Sequence, residues 1–257
     1  MGGKFDSSKT RVRPVFDILW SQGRDWLPRL LTFPVCGHAN ADDFRTKDLT
    51  LLDERYWDPE EKHLLPPVSL LSWLIRHPTY LAHQGKEIEN DSRRKLLAGD
   101  PDTVTLALHL LRTEGAERDW YIFEGPTCPD VFLVARDALV VIEGKRTERA
   151  PTVKTTWLQG RHQIWRHLDA AWEIRGRRSV YGFLIVDSES DSLDGSVPEV
   201  WHQAARECLQ PSVLSTSFPH RSADEIASIS RCFLGVTTWQ QICARFAIDL
   251  RSLPDEV

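Results

Sequence analysis

Long hydrophobic runs are missing from this chain of 257 residues. The longest are strand-sized, such as Ala138 to Ile142, and the opening MGGKFDSSKTRVRP contains no apolar stretch. Neither a transmembrane span nor a secretory signal is expected, and the reading that follows is a cytoplasmic protein with no membrane partner. A disulfide framework is missing as well. The five cysteines, Cys36, Cys128, Cys208, Cys232 and Cys243, are odd in number, scattered and nowhere in a CxxC pair, which argues against disulfides, iron–sulfur clusters and structural zinc. Cys36 and His38 in VCGH have ligand chemistry but no second pair at a zinc-like spacing, so a loop is expected there. Positive charge is not in excess either. The formal net charge of −5 argues against non-specific coating of nucleic acid, although a basic groove depends on where charges sit and not on their sum. Glycine is scarce, at 14 residues, and no repeat or low-complexity tract occurs, so fibrous and disordered classes fall away.

What is present is enough apolar sequence, 41% of residues, to bury a sizeable core. The length suits one domain, or one domain with a helical extension. Up to about Gly85 the chain reads as a helical extension (1–85): VRPVFDILWSQGRDWLPRLL and PPVSLLSWLIRH carry apolar residues at helical spacing, with a polar loop between them. Asp100 and Pro101 then signal a helix start. Val104, Ala107, Leu108 and Leu111 form its stripe until Gly115 stops it, and His109 falls on the solvated side. Three β-rich runs follow, at 119–124 (DWYIFE), 130–135 (DVFLVA) and 138–145 (ALVVIEGK), separated by GPTCP and by Arg136-Asp137. The near-continuous apolarity of the third implies a central strand covered on both faces. A helix from about Trp157 to Arg175 and a fourth strand at 179–188 complete an α/β core of helix, three strands, helix and strand, spanning 86–190. Ser222 with Glu225 and Thr238 with Gln241 open helices by capping boxes, so 191–257 reads as a C-terminal helical layer.

The chemistry concentrates in PDVFLVARDALVVIEGKRTE, 129–148. If Arg136 and Asp137 are a two-residue turn, cross-hairpin partners sum to 273 and Asp130 faces Glu143. A three-residue loop would instead put the two acids on opposite faces. Facing acids have Cβ atoms roughly 5 Å apart and repel, so something must offset them. A magnesium ion that keeps several waters does so, and manganese can take its place. Period-two alternation puts Lys145 on the face of Glu143, in reach of a metal-bound water or a phosphate oxygen. Taken alone, this spacing also fits ordinary charged residues at strand ends.

Pro129-Asp130 followed by Glu143-Gly144-Lys145, in this order of elements, resembles the PD-(D/E)XK nuclease superfamily with its restriction-endonuclease-like fold, a mixed central sheet. The resemblance covers roughly residues 100–188. It implies that Asp130 and Glu143, with the Gly144 carbonyl, hold magnesium, and that Lys145 positions or deprotonates the attacking water during metal-dependent cleavage of nucleic acid, DNA by default. Gln163 to His167, QIWRH, is similar to the Q-x-x-x-Y element of the RecB-like branch, with His167 where the tyrosine stands, which implies that Gln163 contacts the active site and His167 the nucleic acid. Many members add an upstream acid, for which Glu124 and Glu114 are both open. Lys145, Arg146, Lys154, Arg161, Arg166 and the RGRR group of Arg175, Arg177 and Arg178 would line a groove that follows a nucleic-acid backbone. Arg161, on the packing stripe of its helix, needs an anionic partner, either a carboxylate or a phosphate. A catalytically silent nucleic-acid-binding module and an interaction or scaffold protein remain as alternatives. A role in phage defence, restriction or repair is compatible with the nuclease reading.

Overall fold

The computed structural model describes residues 6–32, 46–81, 90–116, 119–148, 150–152, 158–188 and 195–256. Cys36, His38, Lys154 and Trp157 lie outside them. A short π-helical turn, Ser8–Val12, runs into α1 (Arg13–Ser21), followed by α2 (Leu27–Leu31) and β1 (Leu51–Tyr56). Three helices come next, α3 (Val68–Arg76), α4 (Asp91–Leu97) and α5 (Pro101–Thr113). The hairpin of β2 (Val131–Ala135) and β3 (Ala138–Gly144) leads through α6 (Gln163–Ile174) to β4 (Ser179–Val186). The chain continues with α7 (Glu199–Cys208), α8 (Pro211–Ser217), α9 (Ala223–Ser230), β5 (Phe233–Thr238) and α10 (Trp239–Arg245).

The five strands form one mixed sheet in the order β1-β2-β3-β4-β5. β1, β2 and β3 pair antiparallel; β3, β4 and β5 pair parallel. Across the hairpin Val131 faces Ile142 and Phe132 faces Val141, so the pair sum is 273 and the turn has two residues, as expected. Alternation then divides the sheet's faces. Val131, Leu133, Val140 and Ile142 pack with α1, α2 and α10, while Phe132, Val134, Leu139 and Val141 pack with α6, α7 and α9. Every residue of β3 is buried, so both of its faces are covered. A third cluster, built on α3, α4 and α5, lies apart from these two.

Four expectations about elements are corrected. The run at 119–124 is not a strand: it passes through turns, and Tyr121 and Phe123 are buried among α3 to α5. The place beside β2 is taken by β1, from the segment read as polar loop within the 1–85 helical extension. Asp53, Glu54 and Arg55 are exposed on this edge strand, which is where charge is tolerated and where apolar alternation fails as a signal. In 191–257, read as helical, α9 stops at Ser230 and Phe233–Thr238 enters the sheet as β5. The helix between β3 and β4 begins at Gln163 among the described residues, not near Trp157.

Candidate functional site

Residues 130, 143 and 145 belong to the alternation class that faces α6, and the hairpin register brings them to one end of the sheet. Gly144 closes the backbone around them. A Cβ there would lie 2.8 Å from Val12 Cγ2 and 2.9 Å from Trp239 Cζ2, so close packing alone selects glycine at this position. The Gly144 N–H donates to Asp130 Oδ2 at 2.7 Å and the Ser8 hydroxyl donates to Oδ1 at 3.0 Å. Lys145 is anchored by its own backbone: its N–H donates to the Ile185 carbonyl at 2.7 Å, and its carbonyl accepts from Trp239 Nε1 at 3.1 Å.

Glu143 is the centre of the site, with 4% of its surface exposed. Lys145 Nζ donates to Oε1 at 2.8 Å, and His167 Nε2 lies 3.0 Å from Oε2. Lys145 Nζ also reaches Gln163 Oε1 at 3.4 Å and lies 3.8 Å from Glu148 Oε1. The Thr127 hydroxyl sits 2.9 Å from His167 Nδ1, fixing the ring from its far side. Burial works against the charge on Glu143, but the hydrogen bonds and electrostatic pull of His167 and Lys145 outweigh it and hold the carboxyl below the usual glutamate range. Burial likewise works against the Lys145 ammonium, and the carboxylates of Glu143, Glu148 and Asp130 raise it above its ordinary value. Among the described residues no cation is in contact with Asp130. Burial, and then the neighbouring Glu143 charge, push its carboxyl up to about 7.

The structure therefore brings Asp130, Glu143, Gly144, Lys145, Gln163 and His167 together, and places other candidates elsewhere. Glu124 does not join Asp130. It is buried on Arg161, with Oε2 2.9 Å from Nε, and Oε1 stands 3.6 Å from Arg166 Nε. Arg161 itself is fully buried. It binds Asp169 at 2.9 Å and the Ser217 carbonyl, so its anionic partners are carboxylates and it is closed to a nucleic-acid backbone. His167 is fully buried between Glu143 and Thr127, so it supports the site from within and is closed to direct contact with nucleic acid. Arg166 keeps partial exposure, whereas Arg146 is held by Asp187 and Asp255. Glu114 is exposed at the end of α5. Ser8 and Glu148 were not foreseen. Ser8 comes from 122 residues before Asp130 and has no local signal; Glu148 stands three residues after Lys145, where an i,i+3 carboxylate was in view but unused.

Among the described residues no group of three or more His, Cys, Asp or Glu side chains is arranged to hold a metal ion. The oxygen donors in place are two carboxylates, and each retains capacity. An ionised carboxylate offers about four lone-pair sites, and the contacts above use one on each oxygen of Asp130 and Glu143. An acid raised by burial and by a second acid is also the environment that a hard divalent cation relieves. No helix among the described residues is long and apolar enough to cross a membrane. Comparison with family models, curated proteins and solved structures finds no match to this chain.

Proposed function

We propose that this protein is a metal-dependent nuclease that hydrolyses phosphodiester bonds of nucleic acid, with DNA as the first substrate to test. The observation that carries the reading is the convergence of Asp130, Glu143 and the Lys145 ammonium at one end of the β2–β3 hairpin. The order α1, α2, β1, β2, β3, α6, β4, with β3 parallel to β4, supports a restriction-endonuclease-like core, with the three helices α3 to α5 inserted between β1 and β2.

Asp130 and Glu143 would hold magnesium or manganese, leaving sites for water. Such an ion polarises a phosphoryl oxygen and lowers the pKa of bound water. The chain's own contribution rests on Lys145. Its raised pKa keeps it cationic at neutral pH, so it serves to orient water and to stabilise charge developing on the phosphoryl oxygens, not to take a proton. Gln163 holds the ammonium from α6, and His167 fixes Glu143. Deprotonated Asp130 is favoured once a cation is present, which makes metal uptake release protons near neutral pH.

A second reading, a catalytically silent nucleic-acid-binding module, draws on the engagement of both Glu143 oxygens by Lys145 and His167. Plasmid, linear and single-stranded DNA incubated with magnesium, manganese or chelator separate the two. Lys145→Ala is expected to abolish cleavage while preserving the metal-induced rise in melting temperature, because the lysine acts on transition-state charge and the carboxylates hold the ion. Cleavage by that variant removes Lys145 from the mechanism; DNA binding by the wild type without cleavage in either metal favours the silent module.

A further inference from the structure

Beside the acids, at the ends of the parallel strands, lies a second cluster of charge. Asp187 follows β4, and Arg146 follows Lys145 at the end of β3. Arg11 lies about one helical turn after Ser8, whose hydroxyl binds Asp130. Both arginine side chains are at least nine-tenths buried. Asp187 lies between their Nε groups, 3.7 Å from Arg11 and 3.6 Å from Arg146, and among the described residues Arg11 Nε has no hydrogen-bond partner.

Among the described residues, their outer nitrogens both meet Asp255. Asp255 Oδ1 stands 3.5 Å from Arg11 Nη2 and 3.2 Å from Arg146 Nη2. The carbonyls of Pro254 and Asp255 accept from Arg11 Nη1 at 2.8 Å and from Arg146 Nη1 at 2.6 Å. The two arginines are buried, but the Asp255 side chain is 84% exposed and sits outside any helix or strand. An exposed carboxylate on irregular chain is the member of the cluster most open to solvent, and so to exchange with another anion. Without it, the two guanidinium groups still converge on Asp187. Two convergent guanidinium groups suit the tetrahedral oxygens of a phosphate. Their place outside the carboxyl ends of parallel strands is also where open α/β sheets receive ligands.

We propose that Arg11 and Arg146 form a phosphate-binding site that Asp255 occupies in the free protein, and that a nucleic-acid backbone phosphate displaces it. The anion site stands on the geometry above; its assignment to nucleic acid rests on the nuclease reading. Asp255 thus acts as a strap: substrate must displace a tethered carboxylate before reaching both arginines.

The test measures binding of a labelled DNA duplex in chelator, over a salt series, by wild type, Asp255→Ala, the double variant Asp255→Ala/Arg146→Gln, and Asp53→Ala. Asp53 is a fully exposed acid on β1 and controls for net charge. When phosphate displaces Asp255, the freed carboxylate takes back a cation, cancelling the one released from the DNA. In Asp255→Ala nothing cancels it. That variant should bind more tightly at low salt, with a slope of log K against log salt steeper by about 0.9. The double variant should lose both gains, and Asp53→Ala should keep the wild-type slope. Melting curves with pyrophosphate provide an arm free of nucleic acid, in which Asp255→Ala should be stabilised more than wild type. If no protein binds DNA but pyrophosphate selectively stabilises Asp255→Ala, the anion site stands and the nuclease reading fails. If Asp255→Ala gains neither DNA affinity nor pyrophosphate stabilisation over wild type, the strap is wrong.

Discussion

Asp130→Asn is expected to stabilise the metal-free protein at neutral and alkaline pH. The Asp130 carboxyl titrates at about 7 in the folded chain and at about 3.9 in an unfolded one. Below about pH 4 both states hold the proton and the residue contributes no pH dependence. Between about pH 4 and about pH 7 the folded state keeps a proton that the unfolded state has lost, so unfolding releases a proton and stability falls as pH rises. Three pKa units at about 1.36 kcal/mol each set a ceiling of about 4 kcal/mol. Asp130 retains some solvent contact, which trims this to about 2 kcal/mol. Asparagine carries no such penalty: its oxygen still accepts from the Gly144 N–H, and its amide can donate to the Ser8 hydroxyl once that hydroxyl rotates. For a chain of this size, about 2 kcal/mol is roughly 4 to 8 °C in Tm. Paired melting curves in chelator over the acid-to-alkaline range cancel the titrations common to both proteins. The variant should match wild type at acid pH and rise above it as pH increases. Added magnesium should stabilise wild type and leave the variant nearly unmoved. A difference in Tm that stays flat with pH, or a variant that melts lower than wild type at alkaline pH, refutes the assignment of an uncompensated carboxyl to Asp130.

Glu143→Gln should do the opposite in the same medium, losing about 3 to 5 kcal/mol by denaturant unfolding, because it strands the buried Lys145 ammonium and leaves His167 without its carboxylate. An unchanged midpoint would show that the pair contributes no net stability. Arg161→Ala should cost a similar amount by leaving Glu124 and Asp169 buried without their guanidinium. At a temperature where this variant is folded, its DNA affinity should equal that of wild type; a specific loss of affinity would return Arg161 to the nucleic-acid surface. Gly144→Ala should lower stability by about 1 to 3 kcal/mol, since its methyl must displace Val12 and Trp239. A melting temperature equal to wild type would mean that these side chains yield without strain.

The parts of the fold that were legible in the sequence are those fixed by neighbours. A two-residue turn determines the β2–β3 register outright, and with it the meeting of Asp130, Glu143 and Lys145. The parallel return through α6 to β4 was equally readable from an apolar run following a helical period. β1 and β5 were not. β1 carries Asp53, Glu54 and Arg55 because an edge strand needs no apolar alternation. β5 follows α9 so closely that Cys232, Phe233 and Leu234 continue the helical stripe on paper. The contacts of Ser8 and Arg11 with residues far along the chain depend on the tertiary path alone, and no local pattern announces them.

α6 explains why structural and candidate functional residues could not be told apart by period. Gln163 and His167, four residues apart, share one face and reach Lys145 and Glu143. Asp169, turned toward another face, is buried among Arg161, His220 and Arg221, which hold its carboxyl down to about 2 against the effect of burial. The sequence showed an arginine on a packing stripe and correctly demanded an anion; it could not choose between a carboxylate and a phosphate. That choice has a mechanical consequence. Because Arg161 ties Glu124 to Asp169, the ion network sets where α6 lies on the sheet, and α6 in turn sets where Gln163 and His167 meet the site. A network that is almost wholly buried can therefore govern the geometry around Glu143, through the position of one helix.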